Sequence, residues 1–132
     1  LLHDCGRFLM LARQPHAYVA LFENAGRLPN SMEESEQLGA DHTSLGGALL
    51  ERWNQAPQII DVVRDHHDAE PSGDNADLVR LVGLVDQLVE AEPDEASKSA
   101  AEGLGIDPDA LDELRAGLLR AALEQRQELL SL

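Results

Sequence analysis

Apolar residues recur along the chain at spacings of three and four, and no stretch alternates β-branched and polar residues over a strand's length. Such spacing is typical of helices that bury one face. The predicted helices run from about residue 1 to Arg13, from Pro15 to Gly26, from Asp41 to Trp53, from Pro57 to the paired histidines, from about Asn75 to Ala91, and from Asp107-Pro108 onwards. The pattern therefore predicts an all-α bundle held together by helix packing.

The same spacing predicts which side chains face the interior. The inward residues of the helix that Asp41 caps are Leu45, Ala48, Leu49 and Trp53. Those of the last helix are Leu111, Leu114, Leu118, Ala121, Ala122 and Leu129. Between Leu28 and Gly39, a proline and the acidic run Glu33–Glu36 indicate a loop or a weak helical turn with solvated charges.

Composition narrows the class of protein. The chain has 132 residues and 43% hydrophobic content, which suit one globular domain. Its 25 acidic and 10 basic residues give a net charge of −15, which disfavours nucleic acid and anionic membrane surfaces as partners. The single cysteine, Cys5, excludes an internal disulfide, and no apolar run approaches the ~20 residues of a membrane span. These features predict a cytoplasmic protein with no membrane partner.

Histidines and carboxylates recur beside glycines and at helix ends. Neutral imidazole and carboxylate ligands suit divalent zinc, iron, manganese or nickel. The positions concerned are His3-Asp4 before Gly6-Arg7, His42 before Gly46-Gly47, His66-His67-Asp68, and Asp86 on an apolar helix stripe. Each position also has a purely structural interpretation. In that interpretation the paired histidines favour a helix C-terminus, Asp4 caps a turn, and Asp86 accepts from a backbone amide of a neighbouring helix, from Arg80 or from Arg120.

The order of these segments resembles the HD phosphohydrolase superfamily. Residues 1–7 are similar to its His-Asp-x-Gly-Lys segment, and residues 41–46 to the His-x-x-x-Gly helix of the HD-GYP and HDOD branches. Residues 51–68, with Glu-Arg-Trp before a proline-started helix ending Asp-His-His-Asp, are closest to HDOD, the HD-related output domain. Residues 85–86 match the position of the superfamily's final aspartate ligand.

The resemblance implies an HD-domain-like helical bundle. It places residues 1–91 in the C-terminal half of an HDOD core and residues 92–132 in a C-terminal helical extension packed on the same domain. Because the superfamily's first histidine lies upstream of the His-Asp pair, we expect the chain to be part of a longer protein. The candidate metal ligands that it implies are His3, Asp4, His42, His66, His67 and Asp86.

Two functions follow from the resemblance. HDOD domains serve bacterial signalling and regulation, so the first is a non-catalytic regulatory domain that binds protein partners and needs no cofactor. The second is a metal-dependent phosphohydrolase acting on nucleotides or phosphodiesters, with Arg7 contacting the phosphate. HD-GYP enzymes carry a Gly-Tyr-Pro element after the paired histidines, whereas residues 68–74 read Asp-Ala-Glu-Pro-Ser-Gly-Asp. The regulatory function is therefore favoured. The oligomeric state stays open.

Overall fold

The structure, a computed structural model, describes residues 2–131. Within that range the chain forms helices and no strand, which confirms the all-α prediction. The helices are α1 (Cys5–Arg13), α2 (Pro15–Ala25), α3 (Ser31–Leu38), α4 (His42–Arg52), α5 (Pro57–Asp65), α6 (Ala76–Glu90), α7 (Glu95–Gly103) and α8 (Leu111–Leu130), with a 3₁₀ turn at Pro108–Ala110. Among residues 2–131, no helix combines the length and the apolarity that a bilayer crossing requires.

The helices divide into two compact units. The first unit is Leu1–His66 and contains α1 to α5, and the second is His67–Leu132 and contains α6 to α8. This division lies before the predicted boundary at residue 91. The assignment of residues 1–91 to an HDOD core and of residues 92–132 to an extension stays a prediction.

In the first unit, α4 packs against both α1 and α5. The crossing of α1 and α4 is close because Gly6 faces the start of α4 without a side chain. A Cβ atom at Gly6 would lie 1.8 Å from the carbonyl oxygen of His42. This close approach fixes the residues just before α1 next to the first turn of α4.

The N-terminus of α4 is capped as the sequence predicts. The Asp41 carboxylate accepts hydrogen bonds from the backbone N–H groups of Thr43 and Ser44 and from both hydroxyls. Burial raises the pKa of Asp41, but these hydrogen bonds outweigh it and lower the pKa from 3.8 to about 2. The cap thereby fixes where the helix that carries His42 begins.

The prediction of a loop or weak turn between Leu28 and Gly39 is wrong, because this segment contains the two-turn helix α3. Its start is a capping box, in which the Asn30 side chain accepts from the Glu33 backbone N–H and the Glu33 side chain accepts from that of Asn30. The prediction of a solvated acidic run is also wrong at one position. Glu34 is fully buried.

Two predicted inward positions of α4 are also wrong. Ala48 is exposed, and Trp53 is 60% exposed because α4 ends at Arg52 and Trp53 is already the C-cap residue. Leu50 is buried in their place. The interior face of α4 is therefore centred on Gly46 and Leu50, one residue away from the predicted stripe.

The second unit has its own apolar core, made by Leu84 and Leu88 of α6, Ala101 of α7 and Leu111 of α8. Helix α7 was not predicted, because its inner residues are mostly small. Its N-terminus is a capping box between Asp94 and Ser97. The predicted helix start at Asp107-Pro108 is a 3₁₀ turn, which leads directly into α8.

The prediction of an inward face on α8 agrees with the structure only in the first half of the helix. Leu111 is buried and Leu118 packs against the core. Leu114 and Leu129 are exposed, and so are Ala121 and Ala122. The C-terminal half of α8 therefore extends beyond the core of its unit.

Candidate functional site

A cluster of polar side chains lies where α1, α3 and α4 meet. Its members come from the start of α1, from α2, from the middle of α3, from the first turn of α4 and from the end of α5. They are His3, Asp4, Arg7, Tyr18, Glu34, His42 and His66. We refer to this set as the His-Asp cluster.

Glu34 and His42 form the fully buried part of the His-Asp cluster. One carboxylate oxygen of Glu34, Oε2, accepts from the backbone N–H of His42 at 2.9 Å and lies 2.5 Å from its ring nitrogen Nδ1. Both side chains are 0% exposed. Because an ionised carboxylate only accepts, Nδ1 of His42 carries the proton, and Nε2 faces the rest of the cluster.

The Arg7 guanidinium lies between two carboxylates. Its Nη1 donates to Oε1 of Glu34 and to the carbonyl of Pro29, both at 2.7 Å. Its Nε forms an ion pair with Oδ1 of Asp4 at 3.1 Å. Its Nη2 lies 3.5 Å from Nε2 of His42. One cation therefore compensates a carboxylate from α3 and a carboxylate at the start of α1.

Tyr18 completes the surroundings of this cation. Its hydroxyl accepts from Nη1 of Arg7 at 3.3 Å and donates to Oε1 of Glu34 at 3.4 Å. Burial alone would lower the pKa of Arg7, but the Tyr18 hydrogen bond and the charges of Asp4 and Glu34 outweigh it and raise the pKa. Burial also raises the pKa of Tyr18. Arg7 is therefore a permanent cation inside the unit.

His66 approaches the same Asp4 oxygen from the end of α5. Its Nδ1 lies 3.0 Å from the carbonyl oxygen of Val63 and 3.2 Å from that of Val62, so Nδ1 is the protonated nitrogen. Its Nε2 lies 3.9 Å from Oδ1 of Asp4, and Nε2 of His42 lies 3.3 Å from that oxygen. The ring of His3 meets the His66 ring edge-on, with centroids 4.9 Å apart.

These atoms include the donor types that a divalent transition metal binds, and a cation of the protein lies beside them. The Nε2 atoms of His42 and His66 both face Oδ1 of Asp4. Imidazole nitrogens and carboxylate oxygens bind zinc at about 2.0–2.2 Å. However, the Arg7 guanidinium faces both Asp4 and His42. A dication among these donors would lie beside that permanent charge. A metal ion bound to Asp4 and His42 would therefore compete with the Arg7 guanidinium for both side chains.

Five of the seven residues singled out from the sequence lie in the first unit, where the structure brings them together: His3, Asp4, Arg7, His42 and His66. The other two belong to the second unit, where His67 is exposed and Asp86 is half-buried on α6. As metal ligands, all six predicted residues remain predictions.

Sequence reasoning missed Glu34 and Tyr18. The Asn30–Glu33 pair would have predicted the start of α3. From that start, Glu34 lies one turn before Leu38, on the face that the helix buries.

Comparison with known proteins gives one match. The HDOD domain family matches residues 1–69, which cover all five helices of the first unit. A search of curated proteins found no match, and a search of solved structures found none either. Because the family match covers more than half of the chain, the chain belongs to the HDOD family, an HD-related family associated with regulation and signalling.

Proposed function

We propose that this chain is a cytoplasmic regulatory domain of a bacterial signalling protein, which acts through contacts with protein partners and without catalysis. The observation that carries the proposal is the position of Arg7. Its guanidinium pairs with both Asp4 and Glu34 inside the His-Asp cluster. A metal-dependent hydrolase needs a cation that binds water and substrate at those donors. Here the cation is part of the protein.

The hydrogen bonds of the cluster support a structural role. Each of the three guanidinium nitrogens of Arg7 faces an acceptor from the protein: Asp4, Glu34 with Pro29, or His42. The ion pair between Nε of Arg7 and Oδ1 of Asp4 has no hydrogen-bond geometry, whereas the contacts of Nη1 connect the elements that contribute to them. Together with the contact between Nη2 and His42, they connect the start of α1, α3 and the start of α4.

The segment after the paired histidines supports the same proposal. Residues 68–74 lack the Gly-Tyr-Pro element of the HD-GYP phosphodiesterases. They include Gly73, which has a left-handed φ of 90°. Membership of a family associated with regulation agrees with a partner-binding role.

One observation favours the metal-dependent phosphohydrolase as a second candidate. The Nε2 atoms of His42 and His66 both point towards Oδ1 of Asp4. This candidate requires the Arg7 guanidinium to leave Asp4 and to act instead on a substrate phosphate. It then predicts bound metal and turnover, which the regulatory proposal does not.

Metal analysis and turnover of the chain, purified without a histidine tag, separate the two candidates. The regulatory proposal predicts substoichiometric metal and no hydrolysis of nucleotides or cyclic dinucleotides. Stoichiometric transition metal that is lost in both Asp4→Ala and Asp86→Ala would contradict it. Asp77→Ala is the matched control for Asp86→Ala, because Asp77 is an exposed carboxylate on the same helix.

A further inference from the structure

We draw no further inference here: the strongest candidate, the surface patch of exposed leucines Leu123, Leu129 and Leu130 in the C-terminal half of α8, carries nothing, because nothing in the structure shows what covers it.

Discussion

Replacing Glu34 with glutamine removes a negative charge from a fully buried position while keeping the shape of the side chain. The two carboxylate oxygens serve different donors. Oε1 accepts from Arg7 at 2.7 Å and from Tyr18, whereas Oε2 accepts from the backbone and ring nitrogens of His42. Glutamine has a single acceptor oxygen, so its NH₂ group must face donors on one of the two sides.

The expected loss of stability follows from these contacts. Removing one partner of a buried ion pair costs about 3–5 kcal/mol. Arg7 keeps its ion pair with Asp4 and its hydrogen bond to the carbonyl of Pro29. The cost therefore lies at the lower end, and we expect Glu34→Gln to reduce the free energy of unfolding by about 3 kcal/mol.

Urea unfolding followed by tryptophan fluorescence measures this loss in the relevant unit, because the only tryptophan is Trp53 at the end of α4. Glu36→Gln is the matched control. It removes the same charge from the same helix at an exposed position and should change the free energy by less than about 0.5 kcal/mol. Equal unfolding midpoints for the two variants would refute the argument that Glu34 anchors α3.

Two further predictions concern the helices that hold the cluster. Gly6→Ala should cost about 3 kcal/mol or more in thermal unfolding, because its Cβ would overlap the His42 carbonyl, whereas Gly117→Ala should be neutral or stabilising. A tolerated Gly6→Ala would contradict the close crossing. Asp41→Ala should cost about 1 kcal/mol at neutral pH. Since folding lowers the pKa of Asp41 from 3.8 to about 2, this contribution exists above about pH 4 and disappears as the pH falls through 2. If the free energies of unfolding of Asp41→Ala and wild type differ by the same amount at pH 7 and at pH 2, the predicted pH dependence is contradicted.

The sequence predicted those parts of the fold that local chemistry determines. Asp41 caps α4, Pro15 and Pro57 begin α2 and α5, and Gly26 ends α2 with a left-handed φ of 66°. Each of these signals acts on its own backbone within a turn or two. The predicted boundaries therefore agree with the structure to within a few residues.

The buried end of the His-Asp cluster was not predictable in the same way. Glu34 lies within an acidic run, and a carboxylate in such a run is ordinarily solvated. Its burial depends on Arg7, 27 positions earlier in the chain, and on His42, eight positions later. Hydrophobic periodicity carries no information about such a pairing. The resemblance predicts a substrate phosphate as a contact of Arg7, and the structure shows its guanidinium beside the carboxylates of Asp4 and Glu34.

The prediction for Trp53 is wrong in the opposite sense to that for Glu34, because a residue expected to be buried is exposed. A large apolar residue at helical spacing predicts burial, but α4 ends one residue too early for Trp53 to remain on its inner face. The end of a helix is among the features that periodicity locates least well. Leu50, which remains within the helix, takes the buried position.

The central claim is that the Arg7 guanidinium is the cation of the His-Asp cluster, and metal-linked stability of wild type and Arg7→Met tests it most directly. Methionine retains much of the side-chain bulk but removes the charge, which leaves Asp4 and Glu34 uncompensated beside His42 and His66. A ligand at about 100 times its dissociation constant stabilises a protein by about 2.7 kcal/mol. We therefore predict that Mn²⁺ or Zn²⁺ raises the melting temperature of Arg7→Met and leaves that of the wild type unchanged. A wild type that the metal stabilises as much as the variant would contradict the claim.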